Sequence, residues 1–146
     1  MTLIVDVARE GVVVPLAAER IKALVRGVCA REKVKAGLIS VTFVTDRAMA
    51  RMNREYLDHR GATDIITFEL RHAPGDAGGV VMGDMYIAPG VARANARANG
   101  VGVREELARL VIHGTLHVLG YTHPEDEARL TSPMWRKQER YVAALA

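Results

Sequence analysis

Hydrophobic positions along the chain change their period several times, and each change marks an element. Residues 2–8 (TLIVDVA) alternate, which predicts a strand, while PLAAERIKALVRGVCAREK (15–33) has apolar residues at helical spacing behind a proline suited to a first turn. The β-branched run GLISVTFV (37–44) predicts a second strand, and DRAMARMNREY (46–56) a helix with Asp46 as N-cap. TDIITFEL (63–70) and GVVMGDMYIA (79–88) predict two more strands; the turn-rich RHAPGDAGG (71–79) between them fits an antiparallel hairpin with a long loop. PGVARANARANG (89–100) predicts a short helix closed by Gly100, and EELARLVIHGTLHVLG (105–120) a longer one. The order β-α-β-α-β-β-α-α predicts an α+β fold, a small mixed sheet of about four strands packed with helices.

Composition adds boundaries to this picture. With 146 residues and 49% hydrophobic composition, the expectation is one domain over 1–146 with a real core. Cys29 is the single cysteine, and the first twenty residues have neither a basic n-region nor an apolar h-region, which predicts a cytoplasmic protein. No apolar run approaches the ~18–20 residues that cross a bilayer, so no membrane span is expected. The formal charge of +3 is uneven: residues 20–60 hold ten Lys/Arg and four acids, net +6, leaving net −3 elsewhere. Such a stretch suits a polyanion such as RNA, although a solvated helix face gives the same count.

The chemistry is concentrated in HGTLHVLGYTH (113–123). His113 and His117, four residues apart on a helix, leave the same face one turn apart, and Gly120 allows the chain to turn back and present His123. Three imidazoles can then share one metal, most simply zinc, with a coordination position left open. A closed structural site would need a fourth ligand, for which the candidates are Cys29, His59 and His72; Cys29 lies among apolar neighbours and reads as a small buried thiol. Zinc peptidases have a Glu after the first His as general base, and this chain has Gly114. Hydrolysis without that Glu would need water activated by the metal or a nucleophile that the substrate itself brings, as the 2′-hydroxyl of RNA does. Gly114 is expected to leave room beside the metal.

These residues resemble the H-G-x-L-H-L-x-G-Y-D-H signature of the YbeY family of rRNA maturation endoribonucleases. MNREYLDHRGATDIITF (52–68) resembles that family's LN-x-x-YR…PTDVLSF segment and MGDMYIA (82–88) its LGDIxIS segment, so the likeness spans nearly the whole chain. The resemblance implies a zincin-like α+β fold and one Zn2+ per chain on His113, His117 and His123. It also implies single-strand-specific RNA cleavage in small-subunit rRNA maturation and ribosome quality control, with rRNA precursor and ribosome as partners. Two positions depart from the pattern. Leu57 follows Tyr56 where most members have Arg, and Thr122 precedes His123 where Asp is usual. With the arginine position vacant, Arg60, three residues on, is the candidate cation for the phosphate, and the catalytic set is Arg60, His113 and His117.

The remaining polar and aromatic positions have plainer readings. Asp64 and Asp84 suit hydrogen bonds to loop backbone, while Met82, Met85, Met134 and Trp135 suit packing. With two Phe, four Tyr and one Trp, recognition of RNA is expected to rest on phosphate and shape. Zinc-dependent endoribonuclease is the leading function. A non-catalytic, zinc-stabilised ribosome-assembly factor that binds rRNA is the alternative, and a degenerate peptidase is argued against by Gly114.

Overall fold

The computed structural model describes residues 2–58, 60–71 and 80–146. Its elements run β1 (Leu3–Arg9), α1 (Ala18–Arg31), β2 (Ala36–Phe43), α2 (Asp46–Leu57), β3 (Ile65–Arg71), β4 (Val80–Ile87), α3 (Pro89–Asn99) and α4 (Val103–Val118), followed by a 3₁₀ turn (Glu127–Thr131) and α5 (Pro133–Leu145). The eight expected elements are present in the expected order; the turn and α5 were not anticipated. The strands form a four-stranded sheet ordered β1-β2-β4-β3. β1 with β2 and β2 with β4 are parallel, and β3 runs antiparallel to β4 as the hairpin reading expects. Apart from Arg71, the loop read at 71–79 has only Gly79 and its predecessors, which lie outside the described residues.

Two helix starts differ in detail. Thr45, not Asp46, caps α2, its hydroxyl accepting from the Ala48 amide at 3.0 Å, while Asp46 becomes the first-turn acid that complements the helix dipole. Pro15 lies ahead of α1, whose N-cap is Ala17, so the proline shapes the approach and not the first turn.

The core lies between α1, α4 and the sheet face bearing Val5, Ile39, Val41, Phe43, Met85 and Ile87, all buried. α4 is buried on most sides, with Leu107, Val111, Ile112 and Leu116 at 0% exposure, because the sheet, α1, α3 and α5 all pack on it. It approaches the sheet closely through two glycines. A Cβ on Gly83 would come within 2.4 Å of Val118, and one on Gly114 within 2.8 Å of Ile65 and of the Met85 sulfur. The mid-helix glycine is therefore explained by packing on β3 and β4, not by room beside a metal. A smaller cluster (Val44, Met49, Ile66, Ala88) joins α2 to Phe68 and Tyr86, so the basic residues of α1 and α2 belong to helices packed in different clusters. Among the described residues no helix is long and apolar enough to cross a membrane.

Candidate metal centre

α4 ends in a Schellman arrangement that carries the chain from His117 round to His123. Leu119 is the C-cap, Gly120 takes φ +101°, its amide donates to His117 O at 2.9 Å, and the Tyr121 amide donates to Leu116 O at 3.0 Å. The three rings that spacing brings to one point are together: centroids lie 4.6 Å apart for His113 and His117, 5.0 Å for His113 and His123, and 4.8 Å for His117 and His123.

Each ring nitrogen that points away from the cluster meets an oxygen that can only accept. His113 Nδ1 is 2.5 Å from Gln138 Oε1, His117 Nδ1 is 2.9 Å from Tyr121 O, and His123 Nδ1 is 2.7 Å from Pro124 O. Gln138 is itself oriented, since its amide nitrogen donates to Glu139 Oε2 at 2.9 Å and leaves Oε1 for the histidine. Every Nδ1 must therefore carry the proton, and every Nε2 presents a lone pair. Those lone pairs face one another: Nε2 of His123 is 3.1 Å from that of His117 and 3.4 Å from that of His113. Three acceptors this close repel unless a cation lies between them. Ligand nitrogens about 2.0–2.1 Å from a tetrahedral ion are about 3.3 Å apart, so the donor set fits a zinc-sized cation.

Protonation favours the same role. Burial lowers the His113 imidazole below its usual range despite the Gln138 contact, and burial with the neighbouring His113 and His123 pushes His117 down to about 4. A neutral ligand has no proton to displace before it binds. Among the described residues this is the one His/Cys/Asp/Glu cluster with metal-holding geometry. Cys29 is buried in the core, its thiol pushed up to about 12 by burial and by Glu32, as the packing reading expects. His59 and His72, the other fourth-ligand candidates, lie outside the described residues.

A cavity of about 650 Å³ opens beside His113 and His123. α5 forms part of its wall, which the sequence reading missed entirely. Gln138 and Glu139 support the site from there, and Arg109 on α4 clamps Glu139 through two contacts of 2.9 and 3.0 Å. Trp135, expected as packing, also lines the cavity, as do Asn95 and Arg129. The signal for α5 was the Ser132-Pro133 pair, a capping hydroxyl followed by a first-turn proline. Asp64 lines the cavity too; burial raises its carboxyl above the usual range, against its backbone contact with Ile65, and Asn95 donates to it at 3.3 Å. Asp84 instead accepts from Ser40 across the β2–β4 pair at 2.6 Å and is absent from the cavity wall. Arg60 is exposed in the segment before β3 and does not line the cavity, whereas Arg129 does.

Comparison with known proteins agrees with this geometry. The family described as Endoribonuclease YbeY matches residues 8–146. Endoribonuclease YbeY of Chlorobium phaeobacteroides (strain BS1) is 34% identical over 127 residues, covering 87% of each chain. That of Porphyromonas gingivalis (strain ATCC 33277) is 38% identical over 124 residues, covering 83% of this chain and 79% of the relative. The solution structure of TM1509 from Thermotoga maritima superposes with a TM-score of 0.64 over 97% of this chain and 89% of that one; at 24% identity it speaks for the fold alone. By the near-complete span of the family match and the identity of these relatives, the chain belongs to the YbeY endoribonuclease family.

Proposed function

We propose that the protein is a zinc-dependent endoribonuclease, one domain over 1–146, that cuts single-stranded RNA in small-subunit rRNA maturation and ribosome quality control in the cytoplasm. The observation that carries this reading is the convergence of three Nε2 lone pairs at the edge of an open cavity, in a member of an endoribonuclease family. His113, His117 and His123 would hold one Zn2+, which supplies Lewis-acid charge at a phosphodiester. The chain's own residues do the rest. Gln138 and the Tyr121 and Pro124 carbonyls fix the imidazoles in the ligating tautomer. Gly114, filled on its open side by Ile65 and Met85, leaves no side chain where zinc peptidases have their Glu, so peptide hydrolysis lacks its base. RNA brings a nucleophile of its own in the 2′-hydroxyl. Arg60, exposed four residues ahead of Asp64, serves as a guanidinium for the approaching RNA backbone.

Incubation of the metal-replete protein with single-stranded rRNA precursor, with and without a chelator, tests the reading. Cleavage should occur, stop with chelator, and be absent in His113→Ala, which should also lose its zinc. Arg60→Ala should keep its zinc and cut at least ~10-fold more slowly, with Arg60→Lys intermediate. RNA that binds but stays intact in the presence of zinc-replete protein would favour the assembly-factor role instead.

A further inference from the structure

The cavity beside the histidines has a size, a wall and a charge pattern that the metal site alone does not explain. At about 650 Å³ it lies within the ~300–1,000 Å³ of small-molecule sites, enough for one nucleotide and far too small for a duplex. Trp135, half-buried at the start of α5, supplies an aromatic surface. Asn95 and Asn99 on α3 are four residues apart, so both amides lie on the helix face that lines the cavity, where each can donate and accept.

Charge decides which end of a nucleotide enters. The wall includes Asp64, Glu106 and Glu139 against Arg109 and Arg129, a net of −1. Arg109 is already held by Glu139 and Glu106, so the interior offers a phosphate no free cation on that side. Arg129 differs. It is exposed, makes no ion pair among the described residues, and lines the cavity together with His113, His123 and Asp64. A base suits the interior; a phosphate suits the rim.

Building on the endoribonuclease reading, we propose that this cavity is the subsite for one unpaired nucleotide beside the scissile phosphodiester, its base against Trp135 and its phosphate between Arg129 and the histidines. A base inserted there cannot keep its complementary partner, since the cavity admits one base and the backbone remains outside. Discrimination between single and double strands thus follows from the shape of the wall, with no separate recognition element. The asparagine amides read the base edge and Trp135 covers its face.

Trp135 is the chain's single tryptophan, so tryptophan emission, excited selectively over the tyrosines, reports on this site alone. Titrating the zinc-loaded protein with a single-stranded 2′-O-methyl RNA hexamer should give saturable quenching, and the same hexamer annealed to its complement should give none. Arg129→Ala should weaken the hexamer at all salt concentrations and make the salt dependence shallower by about one unit of slope. Trp135→Ala should raise KM for single-stranded RNA cleavage about 10-fold, and Trp135→Phe should recover most of the loss. Equal quenching by duplex, or cleavage of single-stranded RNA with tryptophan emission unchanged by bound hexamer, overturns the subsite and leaves the endoribonuclease reading standing. Hexamer-specific quenching by a zinc-loaded protein that cuts no RNA keeps the subsite and removes that reading.

Discussion

The histidines work as a set because each has its Nδ1 proton committed elsewhere, and only one of the three acceptors is a side chain. Gln138→Leu should therefore leave the fold intact by circular dichroism yet weaken zinc about 10–100-fold in a chelator competition, as loss of an outer hydrogen bond to a ligand does. Unchanged affinity would show that packing alone orients His113. The histidine cluster was legible because the relation between His113, His117 and His123 is local, set by one helix turn and one glycine. Gln138 was not, since it lies 25 residues from its partner in a helix whose docking no short window reveals. Arg129 illustrates the same limit: it lines the cavity beside His113, and only the folded arrangement brings it there.

Among the elements, α4 owes its position to small residues facing large ones. Gly83→Ala puts a methyl 2.4 Å from Val118 and 3.1 Å from the Phe68 carbonyl, which cannot move aside as a side chain end can. It should cost about 1–3 kcal/mol, lowering Tm by about 2–4 °C per kcal/mol. Val118→Ala in the same chain should recover part of the loss, and strictly additive effects in a thermal-melt cycle would mean the two do not meet. The succession of elements along the chain and the sense of the β3–β4 hairpin were legible from period and turn chemistry. α5 was hidden by its own function: Gln138 is 1% exposed, one turn on from buried Met134, so a polar residue stands where helical periodicity calls for an apolar one. The glycine in α4 was noticed, but its partners Ile65 and Met85 come from other strands, and only the folded arrangement assigns it to packing.

Across the whole molecule, Glu32 ties together parts that the sequence holds far apart. Its carboxylate, at the end of α1, accepts from the hydroxyls of Tyr121 and Tyr141 and from Lys137 Nζ at 3.0 Å, joining the turn after α4 to α5. Burial pushes this carboxyl up, but the tyrosine and lysine contacts outweigh it and hold it below 4.5. A carboxyl with a depressed folded value stabilises fully above 4.5, and its contribution fades as pH falls through the lower folded value. Glu32→Gln should lower stability at pH 7 by about 2 kcal/mol and flatten the acid side of a Tm-against-pH curve. A variant that keeps the wild-type acid slope would assign that slope to other carboxylates. Uneven tolerance to heritable change is a further result of how the rings are held. His117 and His123 lean on the carbonyls of Tyr121 and Pro124, and a carbonyl survives any codon change at its residue. Drift at those two sites can alter packing but cannot delete the acceptor, so point mutation reaches the tautomer of only one of the three imidazoles directly, and it does so through Gln138.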